Sequence, residues 1–138
     1  MSVQRQRLLL IVDDLGVVWP ARHALEAAGG GNVLSKAGEP SARVAWHEVG
    51  ASLPEVVVFM PCGYYLEDAE NELESLFALP YLAETPAARG RAVFAVDASS
   101  YFSRPGPRIV DGLEILAWAI HPESFPEPPK DRITRVVA

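Results

Sequence analysis

The chain has 138 residues, 49% hydrophobic and 22% charged, proportions of a folded globule rather than of a disordered segment. Lys and Arg number 12 and Asp and Glu 18, giving a net charge of −6, which argues against nucleic acid and anionic membrane surfaces as partners. One domain is expected at this length, burying roughly 68% of the surface its unfolded chain exposes.

The first element is a continuous aliphatic run, Arg7 to Val12, the pattern of a strand buried on both faces. The surrounding "MSVQRQRLLLIVDDLG" imitates the start of an export signal. The run is short, however, includes Asp13 and Asp14, and lacks a small-residue cleavage pattern, so it reads as a strand. No stretch approaches the ~20 apolar residues of a membrane span. Gly16 and Pro20 lead into a helix over Pro20 to Ala28, which "GGGN" at Gly29 to Asn32 stops; a short strand is predicted over Asn32 to Leu34. A polar loop, Ser35 to Ser41, precedes a short helix around Ala45 to Ala51. The second solid strand is Glu55 to Met60, in "PEVVVFMPCG". Leu66, Ala69, Leu73, Leu76 and Phe77 recur at helical spacing and predict an amphipathic helix from Leu66 to Leu79.

Pro80 to Gly90 reads as a loop with room for a helical turn, Ala92 to Val96 as a strand, and Ile109 to Ile120 as a helix with Pro107 near its start. Pro122, Pro126, Pro128 and Pro129 mark a Pro-rich tail, residues 122–138, beyond a core spanning about 7–121, and the stretch Pro122 to Pro129 is expected to extend over the surface. Strands alternating with helices make βαβ units. The expectation is an α/β fold, a single three-layer domain with a mainly parallel sheet flanked by helices.

Three connections leave strand ends in the same direction, so their residues should gather on one rim. The first contains Trp19, the second Tyr64 and Tyr65, and the third Ser99, Ser100, Tyr101, Phe102 and Arg104. Aromatics at the carboxyl ends of parallel strands suit a flat, largely apolar ligand, because rigid rings add contact area at little entropic cost. The alternative is that each ring plugs its own end of the core.

Enzyme chemistry finds no support. Asp13 and Asp14 after an aliphatic strand imitate a phosphotransfer receiver, but the strand Val56 to Met60 ends without an acid, and Lys36 and Lys130 follow no central strand. Cys62 is the only cysteine, so no intrachain disulfide can form. His23, His47 and His121 fall on separate elements, leaving Cys62 without a base and offering no metal-ligand spacing. "GGGN" follows a helix instead of joining a strand to one, and no Gly-x-Ser-x-Gly elbow exists. Neither a catalytic residue nor a cofactor nor a metal is expected.

The segments "EAAGGGNVLSKAGEPSARVAWHEV", "PEVVVFMPCGYYLEDA" and "ALPYLAETPAARGRAVFAVDASSYFSRPGPRIVDGLEILAWAIHPE" resemble, in this order, the cobalamin and iron-complex substrate-binding proteins of ABC importers, the periplasmic class with a helical backbone. The similarity spans roughly Trp19 to Glu123, and the last segment is the most specific. The resemblance implies a non-catalytic module that captures cobalamin, haem or a ferric siderophore and delivers it to a permease. It carries Trp19, Tyr64, Tyr65, Ser100, Tyr101, Phe102 and Arg104 over as ligand contacts. Asp111 or Glu114 would be the acidic group that docks onto the permease.

These proteins clamp ligand between two α/β lobes, and only the C-terminal lobe is matched here. The reading therefore expects a truncated or split receptor whose N-terminal lobe is supplied elsewhere. Location would be periplasmic by resemblance, or cytoplasmic if the chain is complete, since no signal peptide is evident. A homodimeric or protein-interaction module that keeps the fold without transport is the alternative.

Overall fold

The structure is a computed structural model, described here for residues 7–11, 31–32, 45–61, 63–101 and 109–136. Its frame is one five-stranded sheet in the order β2-β1-β3-β4-β5. The strands are β1 Arg7–Ile11, β2 Gly31–Asn32, β3 Val56–Phe59, β4 Val93–Val96 and β5 Ile133–Arg135. The first four are parallel, with Leu8 opposite Val56, Ile11 opposite Phe59, and Phe59 opposite Ala95. β5 runs antiparallel to β4, pairing Phe94 with Arg135 and Val96 with Ile133.

Every residue of β3 and β4 is buried, which explains why both read as unbroken apolar runs: strands covered on both faces need no polar alternation. Their side chains still divide by the pleat. Val56, Val58, Met60, Phe94, Val96 and Ile133 point into one layer, filled by residues Ile115 to Ile120. Val57, Phe59, Val93, Ala95 and Val136 point into the other, against Val49, Ala69, Leu73, Phe77, Leu82 and Ala87. Helices thus lie on both faces, giving the three layers of an α/β fold with a mainly parallel sheet.

The second layer is built from α1 Trp46–Ala51, α2 Leu66–Phe77, and two single turns, α3 Pro80–Ala83 and α4 Pro86–Arg89. At α1 and α2 an acidic residue reaches back to an otherwise orphaned amide: Glu48 accepts the Ala45 N–H at 2.9 Å, and Asp68 the Tyr65 N–H at 3.3 Å. Pro80 and Pro86 each occupy a first-turn position, where the missing N–H costs nothing. The stretch expected to be a loop with room for a helical turn therefore holds two such turns. Buried Thr85 joins them, its hydroxyl donating to the Leu82 carbonyl at 2.8 Å and accepting from the Ala88 amide at 3.3 Å.

The first layer holds α5 Ala98–Tyr101 and α6 Ile109–Ile120. Six consecutive buried residues close α6, Ile115 to Ile120, the signature of a helix covered all round. Phe94 meets Trp118 edge to face, with centroids 5.4 Å apart and planes at 67°.

Residues 122–129, expected to run over the surface, lie exposed except for half-buried Pro128, but the chain beyond them returns to the core. Ile133 and Val136 are buried, one in each layer, and Arg135 lays its guanidinium over Phe94 at 4.9 Å and Trp118 at 5.7 Å. Arg135 also donates to the Arg91 carbonyl. The proline run ends at Pro129, which frees the next residues to enter the ladder. In the N-terminal part, the helix expected over Pro20 to Ala28 lies outside the described residues. Of the short strand expected over Asn32 to Leu34, Asn32 belongs to β2 and the remainder lies outside them.

Candidate functional site

The chain visits β2 on one side of β1 and then crosses to β3 on the other. The strand order therefore reverses between β1 and β3, and open α/β sheets bind ligands beyond the carboxyl ends at such a reversal. The connection leaving β3 borders that point. Met60 and Pro61 remain buried, Gly63 turns the chain at φ +80, and the Tyr64 amide donates to the Pro61 carbonyl at 3.1 Å. A left-handed φ of this kind favours a residue without a Cβ. Tyr65 then opens α2.

The neighbouring connection, leaving β4, opens with the helical turn α5. Asp97 caps it: its carboxylate accepts the Ser100 amide at 3.0 Å, and its carbonyl accepts the Tyr101 amide at 3.3 Å. One hydrogen bond ties the two connections together, from the Ser99 amide to the Tyr64 carbonyl at 3.0 Å. The backbones carrying Tyr64, Tyr65, Ser100 and Tyr101 thus meet at the carboxyl edge of the sheet.

Their side chains are used differently. Tyr64 is half-buried and packs with the α2 layer, whereas Tyr101 is half-buried and packs with the α6 layer, across the sheet. Tyr65 is 61% exposed. Ser100 is half-buried. Trp19, Phe102 and Arg104 lie outside the described residues, as does Cys62.

The first turn of α6 reaches the same edge. Asp111 pairs with Arg132 at 3.5 Å, and the Arg132 carbonyl accepts the Asp97 amide at 3.1 Å, directly beyond β4. Asp111 is therefore engaged within the chain. Glu114 is exposed one turn further along α6. Val110 is 57% exposed beside Asp111.

Sequence reading missed two residues here. Asp97 carried a signal, an Asp just before Ala98-Ser99-Ser100, which is N-cap chemistry. Arg132 carried none, because its position depends on the pairing of β5 with β4. Its guanidinium lies 5.2 Å from the centroid of the Tyr101 ring.

Rings, hydroxyls and amides at this edge suit noncovalent holding of a ligand. Among the described residues no group of His, Cys, Asp and Glu could hold a metal ion. Among them, too, no helix is long and apolar enough to cross a membrane.

No protein-family model and no curated protein matches the sequence. Solved structures do match in fold. The periplasmic heme-binding protein of Pseudomonas aeruginosa superposes with a TM-score of 0.72 at 22% identity, over 99% of this chain and 50% of that one. The periplasmic vitamin B12-binding protein of Vibrio cholerae gives 0.65 at 21% identity, over 86% and 45%. A protein of the ABC-type Fe3+-hydroxamate transport system of Saccharomonospora viridis gives 0.64 at 21%, over 85% and 42%. The chain spans about half the length of these structures. It has the fold of one lobe of the periplasmic substrate-binding proteins of ABC transporters.

Proposed function

We propose that this chain is a ligand-binding lobe, the C-terminal one, of an extracytoplasmic receptor that captures a tetrapyrrole, corrinoid or ferric siderophore and presents it to an ABC permease. The reading assigns it no catalysis. The observation that carries it is the junction at the carboxyl edge, where the Ser99 amide bonds to the Tyr64 carbonyl at 3.0 Å and brings two ring-bearing connections together beside the strand-order reversal. Fold neighbours named for heme, vitamin B12 and Fe3+-hydroxamate support the ligand class. Trp19, Phe102 and Arg104 belong to the proposed wall on sequence grounds, and Glu114 is the acidic side chain proposed for permease docking.

One lobe forms one wall of a cleft, so affinity is expected to fall well short of a closed pocket that buries most of its ligand. Calorimetric titration with haemin, cyanocobalamin and a ferric hydroxamate siderophore tests the proposal. Saturable binding of one of them, with Kd of about 1–100 μM, is expected. Heat at the dilution baseline for all three refutes it.

A second reading, a self-associating module, is favoured by one observation: Tyr65 and Val110, 61% and 57% exposed, share this edge. Light scattering of the wild type and Tyr65→Ser decides it, a dimer lost in the variant being the supporting result and a wild-type monomer the opposing one.

A further inference from the structure

We infer that Arg132 is a positioning residue for the candidate binding edge, fixing the Tyr101 ring that the ligand would meet. The inference rests on the proposed function for its ligand, but its structural half stands alone. Arg132 is fixed at both ends. Its amide donates to the Pro129 carbonyl at 3.1 Å, and its carbonyl accepts the Asp97 amide at 3.1 Å, so the backbone is registered on the end of β4. Its guanidinium then extends over Tyr101, 5.2 Å from the centroid, while one terminal nitrogen sits 3.5 Å from Asp111 on α6. One side chain therefore links three elements: the entry to β5, the α5 turn and the first turn of α6.

Tyr101 needs such a partner. Its carrier is a single helical turn, too short to hold a ring by its own packing, and the ring is only half-buried against the α6 layer. A cation over the ring face favours the side-chain orientation that keeps that face toward it. The alternative, that Arg132 and Asp111 serve stability, is weak on magnitude: both side chains are partly exposed, at 28% and 39%, and such pairs add little to folding. What the arrangement controls is geometry. A ring already held in place loses less freedom on binding.

The test uses Arg132→Met, Arg132→Lys and the wild type, each checked for an unchanged thermal midpoint. Stacking is read by NMR. The Arg132 δ-methylene protons should lie upfield of their ordinary position from the Tyr101 ring current and return to it in Tyr101→Leu. Binding is read by titrating haemin, cyanocobalamin and a ferric hydroxamate siderophore. The Met variant, which keeps length without charge, should weaken whichever probe binds about five- to tenfold, and the Lys variant should recover most of that loss. Unshifted Arg132 protons, or a Met variant that binds as the wild type does, overturns the inference. A wild type that binds none of the three probes but keeps the upfield shift overturns the proposed function and upholds the hold of Arg132 on Tyr101.

Discussion

Replacing Ile133 by alanine is expected to destabilise the fold by about 2–3 kcal/mol, although Ile133 follows a proline-rich stretch with the composition of a surface tail. Ile133 is 5% exposed, within the same layer as Phe94, Val96 and Ile115 to Ile120. The substitution removes three carbons, and at ~0.8 kcal/mol for each buried group the transfer loss is about 2.4 kcal/mol. The cavity left behind adds to this, but β5 is the outermost strand among the described residues and can settle inward, which holds the sum near 3 kcal/mol instead of the ~5 kcal/mol upper limit for buried aliphatics. Phe125→Ala is the matched control. Phe125 is larger but 44% exposed, and its removal should change stability by no more than about 0.5 kcal/mol. Urea denaturation followed by tryptophan fluorescence measures both. With a slope of about 2 kcal/mol/M, the Ile133 variant should lose 1–1.5 M or so in midpoint while the control stays within about 0.3 M. Equal midpoints for the two variants would refute the placement of β5 in the sheet.

Three further substitutions probe local claims. Thr85→Val keeps the shape but leaves the Leu82 carbonyl and Ala88 amide without their hydroxyl partner; a loss of about 1–2 kcal/mol is expected, and Thr85→Ser, which restores the hydroxyl, should recover most of it in the same urea assay. Gly63→Ala meets no atom within 4 Å of the added Cβ, so its cost is that of the left-handed backbone alone, about 1–2 kcal/mol, read as a lower thermal midpoint. Leu53 holds φ 51 while largely exposed; Leu53→Asn, whose side chain tolerates that region, should raise stability by roughly 0.5–1 kcal/mol, and a decrease would mean that Leu53 makes contacts the exposed position does not suggest.

The fold was legible where the chain is strongly apolar or strongly periodic. Val56–Phe59 and Val93–Val96 stood out as runs with no polar interruption, and Ile109–Ile120 matches its helix end to end. The same runs concealed which way each side chain points, because a strand buried on both faces has no alternation to read. That is why Tyr64 and Tyr101, both legible as strand-end aromatics, gave no sign of packing with opposite layers. Short elements escaped for another reason. Pro80–Ala83 and Pro86–Arg89 begin on prolines, which mark a helix start and a loop equally well, and Ala98–Tyr101 contains two serines in one turn. Ile133–Arg135 is held by partners some forty residues away, Arg135 on Phe94 and Ile133 on Val96, and no local pattern announces such pairing. Arg132 inherits that invisibility.

Amide chemical-shift mapping tests the central claim most directly. Cyanocobalamin, or haemin or a ferric hydroxamate siderophore read through line broadening, is titrated into uniformly 15N-labelled protein while every backbone amide is followed. The account predicts that perturbations concentrate at Gly63 to Leu66 and Asp97 to Tyr101, the two connections joined by the Ser99–Tyr64 hydrogen bond. Perturbations at the opposite edge, around Leu53 to Glu55 and His121 to Phe125, or no perturbation at saturating ligand, would contradict it.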